Sequence, residues 1–443
     1  MKKQIFHSFL GLILISTCMG SGVILANDRD DLAVHRKTVS TSNRSIEQIF
    51  PDPNLAKKIA NLLNKEVESD VTLEELQSIT RLSTPTSSIN NLEGIQYLTN
   101  LTLLTLTDNN VLDLSPLKNL TKLTELNLSH NNVNTIEDLK GLHNLVLLRI
   151  NGNNISSLNP ISDLTNLTYL YAEDNPITEI EELSKTLSLE ILTLGNTQIQ
   201  NFSPLNHLSN LKSLSLYGND ISDIGFISDL TNLRGLNFDN NSIVDISPVS
   251  NLTSLDTLML NGNAIRDLSP LSNNKLLLTL GLNGNQVEDL SPLSNLTHLN
   301  WVYIRDNQVV DLSPLNSLYY LNQLHAQNNK IRDLSNLNVE GFPYLQYLYL
   351  DNNQLTDISS LGKLEILPYV SVKDQLIQLP PVKLGEKTEI IIRDIEENIP
   401  QLYFTTSGFY ENDLLSWNQA GKNSLTFEKP IYNFSGTITQ LVE

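Results

Sequence analysis

Cysteine is all but missing from this chain, with Cys18 standing alone among 443 residues. A lone thiol rules out an intramolecular disulfide framework, and once a leader containing it is removed there is no thiol left to act as a nucleophile. Basic residues are also scarce. Lysine and arginine number 29 against 49 aspartates and glutamates, a formal charge of −20, and setting aside Lys2 and Lys3 leaves 27 against 49 and a charge of −22. Nucleic-acid binding needs clustered cations to displace counterions, and no basic stripe occurs; an anionic membrane surface is equally unattractive. A protein partner with a basic patch is the natural complement of such a surface. Catalytic motifs are missing too. There is no His-Glu-x-x-His, no Gly-x-Ser-x-Gly and no phosphate loop, and His130, His143, His207, His298 and His325 share no common spacing. An open surface also lacks the burial that paired acids such as Glu173 and a neighbour need to shift their pKa. The expectation is a binding protein with no cofactor and no catalytic site.

What is present begins with an export signal. Lys2 and Lys3 precede an apolar stretch at residues 9–15 and a second one ending at Ala26, too interrupted to span a bilayer. Cleavage after Ala26 makes residues 1–26 a signal peptide. Lipidation at Cys18, after Ile15-Ser16-Thr17, is the competing route. Export without disulfides leaves packing to hold the fold, and the 40% apolar content is enough for a sizeable core.

Internal repetition dominates the rest. The pattern Leu101-x-x-Leu104-x-Leu106-x-x-Asn109-x-Val111-x-x-Leu114-x-x-Leu117-x-x-Leu120 returns every 22 residues, in twelve copies. Its asparagine recurs as Asn131, Asn153, Asn175, Asn219, Asn241, Asn263, Asn285, Asn307, Asn329 and Asn353, with Thr197 as the one substitute. The last step is 24 residues, which predicts a local bulge at 338–343. A single copy cannot bury its own leucines, so stacked copies must share one continuous core. Alternation turns Leu104 and Leu106 inward and leaves Leu103, Thr105 and Thr107 outward, predicting twelve parallel strands in one exposed sheet. Each asparagine amide can donate and accept at the bend after its strand, forming a ladder. The frequent return sequence Asp-Leu-Ser-Pro-Leu is too short for an α-helix and predicts 3-10 turns outside. Recurring Asp223, Asp245, Asp267, Asp289, Asp311, Asp333 and Asp357 sit just before those turns, suited to holding exposed amides; one oxygen donor per repeat does not make a calcium site. No metal is expected. The Asn-Leu-Thr sequons at Asn119, Asn166, Asn251 and Asn295 follow from the repeat itself.

The flanks differ in kind. Asp52-Pro53 opens a helical pattern through Leu55, Ile59, Leu62 and Leu63, and Thr72 with Glu75 forms the capping box of a second helix, so residues 45–88 read as a helical cap. Residues 88–99 look like a half repeat leading into the array, which extends over 89–365. Beyond it, 369–372, 389–392 and 424–427 are β-rich, and residues 366–443 read as a small β-sandwich closing the other end.

Large aromatics at outward strand positions contribute nothing to the core and single out candidate contact residues. Tyr169, Tyr171 and Tyr217 form an earlier group beside Glu173. Trp301, Tyr303, Arg305, His325, Tyr347 and Tyr349 form a later one, in the residue types that dominate protein-binding hot spots. Gly235, Gly281 and Gly284 suggest a flatter stretch between them. Tyrosine is also a good strand former, so ordinary sheet structure is the competing explanation.

A helical cap, 22-residue leucine-rich repeats and a terminal β domain, in this order, resemble the internalin family of Gram-positive bacterial surface and secreted proteins. The resemblance covers about residues 46–443. It rests on Ile49-Phe50-Pro51-Asp52-Pro53-Asn54-Leu55-Ala56, on the Leu-Thr-Asn-Leu-Thr junction at Leu98, and on Phe434-Ser435-Gly436-Thr437-Ile438-Thr439-Gln440. It implies that the terminal domain is immunoglobulin-like and that the protein binds a host-cell protein through the concave sheet. The chain ends at Glu443 without the Leu-Pro-x-Thr-Gly signal of wall-anchored members, so the expectation is a monomeric, secreted virulence or colonisation factor. A lipid-anchored envelope protein with a structural or cell-wall role is the alternative, tied to Cys18.

Overall fold

The computed structural model describes residues 44–364 and 369–443. The signal peptide and the Cys18 lipidation site lie outside the described residues. Asn43–Glu443 forms one unit by its contacts.

The cap begins with a two-residue antiparallel pair, Arg44–Ser45 with Asp70–Val71, and a short helix, Ile46–Ile49. Its main helix, Pro53–Leu63, starts where Pro53 fixes φ and the Asp52 carboxylate accepts the Asn54 and Leu55 amides at 3.0 and 3.1 Å. The other oxygen of Asp52 accepts the amides of Asn90 and Asn91, so one buried side chain caps the helix and pins it to the first coil. Thr72 and Glu75 make the expected capping box on Leu73–Gln77.

The solenoid sheet has fourteen parallel strands of three residues each, in chain order from Arg81–Ser83 to Tyr369–Ser371, rather than the twelve expected. Each strand pairs with its neighbour one repeat away, Leu104 on Leu126 on Leu148 and so on, so identical positions form straight rows. The extra strand at the front belongs to a full coil in which Leu82, Ile89, Leu92, Ile95 and Leu98 are buried and Ser87 stands at the asparagine position. The extra strand at the back, Tyr369–Ser371, was expected in the sandwich. Its Val370 and Val372 continue the inward rows, and Gln375, 22 residues after Asn353, takes over the ladder by donating to Leu350 O at 3.0 Å and accepting the Leu355 amide at 2.9 Å. A longer amide serves the same purpose.

The ladder itself is regular. Asn109 donates through Nδ2 to Leu106 O in its own coil and to Thr84 O in the preceding one, while its Oδ1 accepts the Ile89 amide. Thr197 breaks the series, because its hydroxyl turns to Asn219 Oδ1 and makes none of those bonds to the preceding coil. One residue before each ladder position the backbone is left-handed, as at Asp108, His130, Gly152, Asp174, Asn196, Gly218, Asn240, Gly262, Gly284, Asp306, Asn328 and Asn352. Asparagine, aspartate and glycine tolerate that conformation best, which explains the composition of this row. Gly284 is therefore a bend residue and not part of a flat stretch of face.

The outer side consists of 3-10 turns, six of them opening on Ser-Pro as at Ser291–Asn295. Where an aspartate precedes the turn it holds the exposed amide: Asp267 accepts the Ser269 amide at 2.8 Å and its hydroxyl at 2.8 Å, and these bonds hold its carboxyl below the ordinary aspartate range. Among the described residues no group of acids, histidines or cysteines is placed to hold a metal ion. The two inserted residues fall in the outer turn around Val339–Gly341, since sheet pairing of Gln323 with Tyr347 continues undisturbed.

The terminal domain is a sandwich of two sheets. One orders Gln375–Val382, Phe434–Val442, Gly421–Lys429 and Gln401–Phe404; the other orders Lys387–Glu389, Leu414–Trp417 and Gly408–Glu411. Leu415, Trp417, Leu425, Phe427, Phe434 and Ile438 fill the space between, and the Trp417 indole donates to Gln440 Oε1 at 2.9 Å. The first strand begins at Gln375, the last rung of the ladder, so sandwich and solenoid share a residue.

Candidate protein-binding face

The flanking residues of each three-residue strand point away from the leucine core, so the concave sheet presents two straight rows of side chains about 4.8 Å apart along the solenoid. All nine candidate residues lie on this face or at its edge, and none is in the core. Trp301 and Tyr347 occupy the same row two strands apart, through Gln323, so they stand on one side of the arc.

The later group is a continuous aromatic surface. Tyr303 packs on His325 with ring centres 4.9 Å apart, and His325 packs on Tyr349 at 4.7 Å. In the other row Tyr347 lies parallel to Tyr369 at 4.8 Å, beyond Trp301 and Gln323. Tyr369, 54% exposed, completes this surface and was missed because its strand was assigned to the sandwich. The 22-residue step from Asn353 to Gln375 is the signal that would have found it. Burial, and then the neighbouring Arg305 guanidinium, pushes the His325 imidazole below its ordinary value, which favours the neutral ring. Burial likewise raises the Tyr303 phenol. Arg305 is exposed at the edge of the patch and pairs with Asp306 at 3.0 Å.

The earlier group is built differently. Arg149 lies over the Tyr171 ring, 3.9 Å from its centre, a cation–π contact that holds the ring in place. Tyr217 lies across Gly195, where a Cβ would come within 2.2 Å of the ring. Burial raises the Tyr217 phenol well above the ordinary range, and Glu173 and Asp174 add to the effect. Tyr169 shares the strand of Tyr171. Six strand steps separate Tyr169 and Tyr171 from Trp301, about 29 Å along the sheet, and four separate Tyr217 from it, about 19 Å. The structure thus does not merge the two groups. Between them run small residues, Ser213, Ser215, Gly235 and Gly281, with Met259 folded over Gly281.

A second set of aromatics escaped the sequence reading. Tyr319, Tyr320 and Tyr344 cluster at the rim where chains enter the strands, with ring centres 5.2 to 5.9 Å apart. Their repeat position precedes the strand, so a search restricted to strand residues passes over them.

The geometry is that of a leucine-rich-repeat protein with an open concave sheet. The family of bacterial adhesion/invasion protein N-terminal regions matches residues 34–77, and leucine-rich repeats match 143–185, 209–251, 231–273 and 321–363. The crystal structure of an internalin, inlF, from Listeria monocytogenes is 37% identical and covers 76% of this chain and 100% of that one, with a TM-score of 0.74. The functional domain of InlJ from the same species is 24% identical over 90% of this chain and 99% of that one, with a TM-score of 0.65, and shares the fold. Internalin H of Listeria monocytogenes is 34% identical over 112 residues; the match spans 25% of this chain and a fifth, 20%, of that protein. The chain belongs to the internalin family.

Proposed function

We propose that this protein is a secreted internalin that captures a host-cell protein on its concave face, as a virulence or colonisation factor. The aromatic surface of Trp301, Tyr303, His325, Tyr347, Tyr349 and Tyr369 supports the reading most strongly. Apart from Trp301, its rings are packed on one another before any partner arrives, so little side-chain entropy is lost on docking. They are also the residue types that carry binding energy, and they contribute nothing to the leucine core. Arg305 flanks this surface, whereas the earlier group, Tyr169, Tyr171 and Tyr217, lies too far along the sheet to serve the same small epitope and is a second contact for a large partner. The acidic surroundings favour a partner with basic residues around an apolar centre.

The test is capture from host-cell lysate by the mature chain and by the Trp301→Ala, Tyr347→Ala double variant. Loss of one specific captured protein, with an unchanged thermal transition, is expected. Equal capture by both refutes the site.

A further inference from the structure

One edge of the solenoid, where the chain enters the strands, follows a rule in most coils. Three residues before each strand stands a small polar side chain that bonds back to the preceding coil: Asn100 to Gln77 O, Asn144 to Thr121 O, Asn166 to His143 O, Ser188 to Leu167 O, Asn210 to Leu187 O and Asn232 to Ser209 O. From the coil of Thr279–Gly281 onward the rule is abandoned. The same position then reads Leu276, His298, Tyr320 and Tyr344, of which only His298 keeps the bond, to Lys275 O. The polar donor moves instead to the residue before the strand. Asn300 Nδ2 donates to Tyr320 O and Asn322 Nδ2 to Tyr344 O, each at 2.8 Å, which frees the rim position for a ring.

These side chains stand in solvent. Leu276 is 54% exposed, Leu278 42%, Tyr319 50%, Tyr320 48% and Tyr344 50%. Along the rim His298 lies nearly parallel to Tyr320, and Tyr320 to Tyr344, with Tyr319 edge-on to both tyrosines. A contiguous exposed row of this kind does not help the fold and marks a contact surface.

Charge selects the occupant. The rim windows 273–279, 295–301, 317–323 and 341–347 hold no carboxylate and a single cation, Lys275, in a chain with 49 acidic residues. Of the eight corresponding windows from the coil of Leu103 to that of Thr257, five carry a carboxylate, Glu125, Asp163, Glu190, Asp229 and Asp256, and no two of the acid-free ones are adjacent, so four in succession occur only here. A basic partner has nothing to pair with here. A second copy of this chain, repelled by its net negative charge, meets no carboxylate along this rim, and tyrosine rings pack well on their own kind about a two-fold axis.

We propose that the rim row Leu276, His298, Tyr320 and Tyr344, with Tyr319 and Leu278, is a self-association surface through which two copies pair. Four coils at about 4.8 Å make a patch roughly 15 Å long, well under the area of a stable dimer, so the association is weak, about tens of micromolar or weaker. It leaves both concave faces open, so a dimer formed where the protein is concentrated offers two capture sites to a multivalent target. The monomer expected from the sequence is the dilute form.

Sedimentation equilibrium of the mature chain tests this, from about 1 to a few hundred micromolar. The decisive variant is Tyr320→Asn with Tyr344→Asn, because asparagine is the side chain this position carries in other coils and restores the bond to the preceding coil. The wild type is expected to dimerise with concentration and more strongly in added salt, which screens the repulsion of two acidic chains. The rim variant is expected to remain monomeric with an undiminished thermal transition. Trp301→Ala with Tyr347→Ala is expected to dimerise like the wild type, so failure of the rim and failure of the concave face are read separately. A wild type that stays monomeric throughout, a rim variant that dimerises equally, or a dimer that salt dissolves would each overturn the proposal.

Discussion

Replacing Asn285 by alanine tests how the coils are held to one another. Asn285 is buried, and its amide donates to Leu260 O at 2.9 Å and Leu282 O at 3.0 Å while accepting the Ile265 amide at 3.0 Å. Alanine removes all three bonds at once and leaves the Ile265 N–H without a partner, while Leu260 O keeps the Asn263 amide and Leu282 O the Asn307 amide as donors. The orphaned N–H costs about 1–3 kcal/mol and each lost bond to a carbonyl that keeps another donor about 0.5–1 kcal/mol, with water in the vacated space recovering part, so a loss of about 3 kcal/mol is expected. Stability in a solenoid is a chain of neighbour interactions, so the damage should appear as a weakened junction in the middle of the array. Urea unfolding followed by circular dichroism should show a lower midpoint and, if the two halves uncouple, a shallower first transition. A cost below about 1 kcal/mol would refute the reasoning, because it would mean that leucine packing alone joins the coils.

The reciprocal change, Thr197→Asn, supplies the missing rung and should raise stability by about 1 kcal/mol, measured in the same urea experiment. Asp52→Ala loses two bonds to the helix and two to the first coil; a loss of about 3 kcal/mol is expected, with early hydrogen exchange in residues 44–98. Asp239 is buried on the concave face, where burial raises its pKa although Asn261 donates two bonds to it. A raised carboxylate pKa means that the folded chain takes up a proton at a higher pH than the unfolded chain, so stability rises as pH falls through the folded value. Asp239→Asn should therefore stabilise the protein at neutral pH, and thermal melts should show that gain shrinking as pH is lowered through that value. Leu258→Ala, in the middle of the leucine rows, should cost about 2–5 kcal/mol in urea unfolding.

The repeating parts of the fold were the most legible. A leucine every few residues and an asparagine every 22 dictate inward rows, a ladder and outer turns before any coordinate is known. The ends were harder to read, for a physical reason. At Ser87 and Gln375 the ladder residue changes identity while its inward neighbours Leu82, Val370 and Val372 keep the period, so reading by asparagine stops one coil short at each end. The left-handed row was visible in retrospect as aspartate, asparagine, histidine or glycine before each rung. Outward positions on the strands followed from alternation, which is why all nine candidate residues fall outside the core. Alternation says nothing of side chains before the strand, so the Tyr319, Tyr320 and Tyr344 cluster could not be found that way.

Photo-cross-linking from defined positions tests the concave-face account most directly. Benzoylphenylalanine is placed for Tyr349, among the stacked rings, and in a second protein for Asp289, exposed on the outer turns. Irradiation in host-cell lysate is expected to give a discrete adduct from position 349 and none from position 289. An adduct of the same mass from position 289, with none from 349, would contradict the account.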